Sequence, residues 1–284
     1  MAVALKPDRV VQRAGAISLR AVCKVYDPGR LDVVAVDGWT LDVASGEFLA
    51  VVGPSGCGKT TLLNGIAGFD PITGGEILLD GETIASPGGS ARPSADRVVV
   101  FQNGALFPWK TVVENVAYGP IVQRRLSRPL ALDEARGLLE RVGLGEVADA
   151  YPSRLSSGVQ RRVEMVRALI NDPKVLLLDE PFRALDAIAK SVMHEELLKL
   201  YDATKKTIFF ITHDLDEAIL LADRVVVSTT RPARVKHILA IDLPRPRSYR
   251  MMASAAFLDL KRSVADAVHE EAEKAFRRGE RELA

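Results

Sequence analysis

Gly53-Pro54-Ser55-Gly56-Cys57-Gly58-Lys59-Thr60-Thr61 follows the apolar run Phe48 to Val52 and precedes Leu62-Leu63-Asn64-Gly65-Ile66-Ala67. An apolar run, a glycine-rich break and a second apolar stretch read as the turn between a buried strand and a helix. The spacing G-x-x-x-x-G-K-T is that of a P-loop. Its glycines let the backbone curl until successive N–H groups point at phosphate oxygens, and the following helix adds its positive end. All nine residues are therefore candidate phosphate binders, with Lys59 reaching the β and γ phosphates. The Thr60 hydroxyl is placed for Mg²⁺, a hard cation that prefers oxygen ligands and keeps several waters. A glycine-rich turn alone carries little weight, but the full spacing between strand and helix carries much.

Composition narrows what such a site can serve. With 284 residues, 48% hydrophobic and 26% charged, the chain is long enough for one large or two small domains with an ample core. Lys and Arg number 38 against 37 Asp and Glu, a net charge of +1, which offers no broad electrostatic footprint for nucleic acid or acidic lipid. No apolar run approaches the roughly 18 to 20 residues that span a bilayer. The start, Met1 to Arg20, interrupts its short apolar run with Lys6, Asp8 and Arg9 and gives no leader or anchor signal. Cys23 and Cys57 suggest no disulfide framework and fit a reducing cytoplasm.

Periodicity gives the order of elements. Ile17 to Val25 and Val33 to Val43 alternate as strands, and Gly74-Gly75 and Asp80-Gly81 bracket a strand over Glu76 to Leu79. From about Gly104 to Ile170 the pattern is helical. One helix begins at Asp133-Glu134 with Gly143 past its end, and another runs from Arg154 to Ile170 with Val159, Val163, Val166 and Ile170 on its face. Val175 to Leu178 and Thr207 to Ile211 are continuous apolar runs, as strands buried on both faces require. The expectation is an α/β nucleotide-binding core with a helical insertion. Beyond Asp242-Leu243-Pro244-Arg245-Pro246-Arg247, the residues Phe257, Leu260, Val264, Val268, Ala272 and Phe276 recur every three or four positions. They mark an amphipathic terminal helix with Glu270/Lys274 and Glu273/Arg277 at i,i+4 spacing. Packing against the core and docking of a partner are both open to it.

Several polar groups are poorly explained by packing. Val175-Leu176-Leu177-Leu178-Asp179-Glu180-Pro181 ends a hydrophobic strand in two carboxylates, and buried carboxylates cost several kcal/mol unless satisfied. A metal and a water satisfy them, with Asp179 toward Mg²⁺ and Glu180 polarising the water that attacks the γ phosphate. The alternative is a capping pair at a strand end. Gln102, after Val98-Val99-Val100-Phe101, can ligate Mg²⁺ or hold that water, or be a plain surface amide. His213 follows Ile211-Thr212, where a neutral imidazole at a strand's carboxyl end can bond the γ phosphate, or be structural. In Leu155-Ser156-Ser157-Gly158-Val159-Gln160, Ser157 and Gln160 form a plausible capping box. That box leaves the Ser156 hydroxyl facing outward at a helix end that attracts anions; the alternative is a plain N-cap.

In this order, these stretches resemble the nucleotide-binding subunit of an ATP-binding cassette (ABC) transporter. The P-loop is similar to Walker A, Val175 to Glu180 to Walker B and Gln102 to the Q-loop. Leu155 to Gln160 is similar to the signature motif, Ala184-Leu185-Asp186 to the D-loop and His213 to the switch histidine, while Tyr26 stands where the family stacks an aromatic on adenine. The resemblance covers about residues 17–247, with the helical subdomain at about 104–170 and the tail at 248–284. It implies a RecA-like P-loop core with an antiparallel β subdomain and an inserted helical subdomain. It also implies a homodimer sandwiching two ATP with Mg²⁺, each held by the P-loop of one copy and by Ser156 and Gly158 of the other, with Asp186 beside them. Such a cassette hydrolyses ATP at the cytoplasmic face of the plasma membrane and drives a permease, indirectly serving a periplasmic solute-binding protein.

Leu106-Phe107-Pro108-Trp109, Pro181-Phe182 and the Asp242 to Arg247 ending look like the nitrate, sulfonate and taurine importer group. Two departures stand near the shared ATP interface. Ser157 replaces a glycine of the signature, and Arg183 stands where the group commonly has glycine. The remaining readings are an exporter ATPase, a nucleic-acid ATPase of the same class, or a scaffold that binds ATP without turnover. Long coiled coils, zinc modules and a second cassette, typical of the nucleic-acid class, do not occur in the sequence, and intact Lys59, Asp179, Glu180 and His213 count against a scaffold. Leu106 to Trp109 is expected at a permease interface, the alternative being a Trp109 buried within the helical subdomain.

Overall fold

The computed structural model describes residues 14–277 apart from Pro28, Arg30, Leu31 and Ala184. Residues 1–13, read above for a leader, 278–284 of the tail, and Ala184 of the triplet Ala184-Leu185-Asp186 lie outside the described residues. Strands β1 (Ile17–Tyr26), β2 (Val33–Val43), β4 (Gly74–Leu79) and β5 (Glu82–Ala85) form an antiparallel sheet in the order β2-β1-β4-β5. A second sheet joins β3 (Phe48–Val52), β6 (Arg97–Val100), β7 (Val175–Asp179), β8 (Thr207–Ile211), β9 (Arg224–Ser228) and β10 (Val235–Ala240). Its order is β10-β9-β3-β8-β7-β6, with every pairing parallel except that of β10 with β9.

The continuous apolar runs make sense because both faces of this second sheet are covered. Phe48, Ala50, Leu176, Leu178, Ile208 and Phe210 point into a core roofed by α5 (Ala187–Thr204), α6 (Leu215–Leu221) and α7 (Ala255–Arg277). The alternating neighbours Leu49, Val51, Val175, Leu177, Phe209 and Ile211 point the other way. There they meet Leu62, Leu63 and Ile66 of α1 (Lys59–Ala67) and Trp39 of β2. The helix that leaves the P-loop is thus clamped between two sheets. A third core, with Val116, Leu139 and Val163, holds together α2 (Val112–Val122), α3 (Arg128–Arg141) and α4 (Ser157–Leu169).

Two helix starts differ from the sequence reading. α3 begins at Arg128, five residues before Asp133, because Ser127 stands extended at its N-cap and a proline occupies the first turn. Proline costs no helical hydrogen bond there, so the acidic pair falls one turn in. α4 begins at Ser157 rather than Arg154, since Pro152–Arg154 make a 3₁₀ turn and Leu155 is extended. Its N-cap is Ser156, whose Oγ accepts from the Val159 N–H at 3.4 Å. The expected capping box of Ser157 and Gln160 is absent: Gln160 Nε2 donates to the Pro152 and Leu155 carbonyls, each at 3.0 Å.

The tail is docked on the first core. Phe257 and Val264 are completely buried among α6 and β9 residues. Glu271 accepts from the Thr230 N–H at 3.0 Å and pairs with Lys236, tying α7 to the β9–β10 turn. The pairs Glu270/Lys274 and Glu273/Arg277 form at 2.8 and 3.3 Å. Phe276, assigned to the same apolar stripe, is 86% exposed, because the helix has by then run past the surface it covers. Emptying a buried aromatic site costs about 3 kcal/mol or more. Phe257→Ala should therefore lower stability by that amount in urea unfolding followed by circular dichroism, and parental stability would place α7 outside the core.

Candidate nucleotide site

Parallel pairing brings the carboxyl ends of β3, β8, β7 and β6 to one edge of the sheet, the edge where such sheets bind ligands. From β3 the chain passes into the P-loop and α1, whose N-cap Gly58 has a left-handed φ of 116° and no side-chain cap. A side-chain carbon at Gly58 would lie 2.4 Å from the Ala35 carbonyl oxygen, so the loop's close approach to β2 demands glycine. The first-turn N–H groups of α1 are left without a side-chain cap, in the place where an anion belongs. Ser55 and Gly56 are exposed at the loop's mouth, while Cys57 is buried with Sγ 3.6 Å from Ser228 Oγ.

Lys59 is almost completely buried and folds back along its own loop, donating to the carbonyls of Gly53 at 2.8 Å and Pro54 at 2.9 Å. Thr60 Oγ1 lies 3.3 Å from Asp179 Oδ1 at the end of β7. Burial holds the Asp179 carboxyl above the usual carboxylate range; the Thr60 hydrogen bond works against this, Glu180 reinforces it and Lys59 opposes it. Among the described residues no cluster of three or more His, Cys, Asp or Glu could hold a metal alone. A buried carboxylate beside a hydroxyl fits Mg²⁺, which takes its remaining oxygens from phosphates and water.

Glu180 stands one residue beyond the strand at a left-handed φ of 42°, anchored by its N–H on the Ile211 carbonyl at 2.9 Å. This reverses its side chain toward the loop after β8. There Oε2 lies 3.3 Å from His213 Nδ1 and 3.3 Å from Arg183 Nη1. Gln102 follows β6, held through its backbone: Arg161 donates to the Phe101 and Gln102 carbonyls, both at 2.7 Å, and pairs with Glu164 at 2.6 Å. Tyr26 is half-exposed at the end of β1, with its hydroxyl 3.5 Å from Thr61 Oγ1 and 3.2 Å from Asp70. Its burial raises the phenol above its ordinary value.

The P-loop, Asp179, Glu180 and His213 are thus brought together within one chain, and Gln102 is placed at the end of the neighbouring strand. The signature stretch is not among them. Ser156 sits at the head of α4, and no hydrogen bond among the described residues joins it to the P-loop; its hydroxyl, expected to face outward, is engaged by the Val159 N–H. Gly158 neighbours Ala189 on α5, whose N-cap Asp186 accepts from Ile188 and Ala189. Sequence reasoning missed Arg161 as the clamp of the Gln102 segment. The i,i+3 pair Arg161/Glu164 was its available signal, on a helix read for its valines. It also gave Arg183 no partner.

The profile of the ABC transporter family matches residues 36–183. An uncharacterized ABC transporter ATP-binding protein of Methanocaldococcus jannaschii is 43% identical over 261 residues, covering 92% of this chain and 94% of the relative. The bicarbonate transport ATP-binding protein CmpD of Synechococcus elongatus is 42% identical over 248 residues, 86% of this chain and 87% of that protein. Among solved structures, a dimeric ATP-binding cassette in a post-hydrolysis state bound to ADP and Pi matches with a TM-score of 0.68 and 29% identity, over 80% of this chain and 100% of that one. With its glycine-rich loop, acidic strand end and His213 gathered at one sheet edge, this chain belongs to the ABC transporter family, as an ATP-binding and ATP-hydrolysing cassette.

Proposed function

We propose that this cassette energises solute import through a partner permease of the nitrate, sulfonate and taurine type, at the cytoplasmic face of the membrane, with a periplasmic solute-binding protein delivering the solute. The observation that carries the reading is the junction of the nucleotide site with an exposed aromatic surface through one short segment. Trp109 is 70% exposed, which excludes a Trp109 buried in the helical subdomain. Phe107 packs edge-on against Tyr118 at 4.8 Å beside it. Next to them a cleft of about 420 Å³ lies between the sheet edge and the helices, lined by Phe101, Phe107, Tyr118 and Arg167. Exposed aromatics beside a cleft suit an interface anchor. Similarity to a bicarbonate transport protein supports the importer class. Among the described residues no helix is long and apolar enough to cross a membrane, so the transport path belongs to the partner.

In this reading the P-loop residues Gly53 to Thr61 cradle the triphosphate, and Tyr26 stacks on the adenine. Lys59 exchanges two backbone carbonyls for the β and γ phosphates. Thr60, Gln102 and Asp179 hold Mg²⁺, which supplies charge neutralisation to the phosphates. Glu180 orients and polarises the attacking water, and His213 bonds the γ phosphate from the next strand end. Two copies face each other, so that Ser156 and Gly158 at the head of α4 close the site of the opposite copy, with Asp186 along the seam. Loss of the γ phosphate moves Gln102. Arg161, gripping the Phe101 and Gln102 carbonyls, keeps that motion coupled to α4, and the adjoining Phe107 to Trp109 surface carries it to the permease.

Three experiments test these roles. Glu180→Gln keeps shape and hydrogen bonding but loses the charge that activates water, so it should retain ATP, accumulate a closed dimer and lose at least about 100-fold in kcat. Lys59→Ala should instead weaken ATP binding itself. A phosphate-release assay at parental rate for Glu180→Gln would remove the assigned role.

Sharing of the site between copies is tested by mixing Lys59→Ala protein with Ser156→Arg protein. Their heterodimers hold one intact composite site and one doubly broken site, so ATPase activity should reappear in the mixture; verified heterodimers without activity would contradict sharing. Ser157→Gly should leave activity unchanged or raise it.

Trp109→Ala should fold and hydrolyse ATP as the isolated chain, yet fail to assemble with its permease or be stimulated by it. Liposome reconstitution with the cognate permease measures this, and normal solute uptake by the variant would take Trp109 off the coupling surface.

A further inference from the structure

In the turn after β7, a buried ring and two backbone hydrogen bonds flank one exposed side chain, that of Arg183. Phe182 is completely buried against Phe210 and His194. The Arg183 N–H donates to the Glu180 carbonyl at 3.2 Å, and the Leu185 N–H to that of Phe182 at 3.1 Å. Backbone and core thus fix where Arg183 starts, while its side chain remains 51% exposed. It lies 3.3 Å from Glu180 Oε2, the same oxygen that faces His213 Nδ1 at 3.3 Å. Glu180 itself is only 12% exposed and fixed at a left-handed backbone position. One oxygen of its carboxylate therefore accepts from a permanently charged guanidinium and lies near the His213 ring.

We propose that Arg183 is a positioning residue that parks the Glu180 carboxylate in the resting cassette and so sets its basal hydrolysis rate. The inference rests on the reading that Glu180 acts on the attacking water. A carboxylate oxygen that accepts from a guanidinium is less available to accept from water. To reach the water, the side chain must rotate away from a cation that follows it on the same turn. Closure of the site requires that rotation, so breaking the pair adds to the cost of each turnover. An ion pair half in solvent shifts the rotated population by a factor of about two to five, enough to set a basal rate and small enough to be released on closure.

The test measures kcat and KM for ATP on the full chain at saturating Mg²⁺. Arg183→Ala should raise kcat about two- to fivefold at low salt, with KM unchanged. The ratio of variant to parent should fall toward one as ionic strength rises from about 0.01 M to about 1 M, because the screening length shrinks from about 30 Å to about 3 Å and salt does to the parent what the substitution did. A purely structural role for Arg183 would not produce that convergence. Arg183→Lys, which keeps the charge without the planar fork, should give an intermediate kcat and retain the salt dependence. Arg183→Gln keeps most of the aliphatic stem and should behave as Arg183→Ala, separating charge from packing. A kcat at or below the parental value in Arg183→Ala and Arg183→Gln, or a ratio indifferent to salt, would overturn the proposal. Glu180→Gln is measured alongside: if it is inactive while the Arg183 variants match the parent, only the parking role fails. Parental activity in Glu180→Gln removes the role of Glu180 itself.

Discussion

The structure depends on the parallel ladder that joins β3, β8, β7 and β6. Because each strand runs the same way, each ends at the same edge, and residues far apart in sequence meet there without any loop reaching across the molecule. Lys59 and Thr60 come from the start of α1 behind the β3 turn, His213 from the turn after β8, Asp179 from the last residue of β7 with Glu180 just beyond it, and Gln102 from the turn after β6. Burial on both faces holds the ladder in register. A one-residue slip would exchange the side chains of Leu49 and Ala50, or of Leu177 and Leu178, between two different cores. The precision of the site is therefore a property of the sheet's packing more than of its loops.

Within that edge the polar groups satisfy one another. Lys59 holds loop carbonyls, Thr60 holds Asp179, and Glu180 meets His213 and Arg183. Buried polar groups without partners would destabilise the fold, so a cassette that must exist without nucleotide needs such internal partners. In the function proposed above, phosphate or metal displaces each of them, and binding free energy is the difference between two satisfied networks. The second network, Arg161 with Glu164 on the Phe101 and Gln102 carbonyls, is nearly buried and belongs to α4, which gives Met165 and Ala168 to one core and Val163 and Val166 to another. With the Arg167 bond to the Ala105 carbonyl, it ties the segment after β6 to that helix.

Much of this was legible in the residues. Continuous apolar runs located β3, β8 and, within one residue, β7, since a strand buried on both faces leaves no other pattern. The P-loop spacing gave the nucleotide, and the run Val175 to Glu180 placed a carboxylate pair at the end of β7. What escaped depends on local stereochemistry or on tertiary placement. The start of α3 was hidden because a proline in the first turn looks like a break. The cap of α4 was assigned one residue late, because two adjacent serines are equivalent until the extended conformation of Leu155 selects Ser156. Arg161 reads as an ordinary helical arginine until the sheet edge places two carbonyls opposite it. Arg183 reads as a departure from a family pattern until the reversed backbone of Glu180 turns a carboxylate toward it.

The central claim is that nucleotide enters by displacing these internal partners at the strand ends. The most direct measurement is the crystal structure of the Glu180→Gln chain with Mg²⁺ and ATP. The account predicts Lys59 Nζ on phosphate oxygens and away from the Gly53 and Pro54 carbonyls, with Thr60 and Asp179 separated by the metal. The partner's Ser156 should close the same nucleotide. Nucleotide bound with Lys59 still on its own loop carbonyls, or bound away from the ends of β3 and β7, would contradict it.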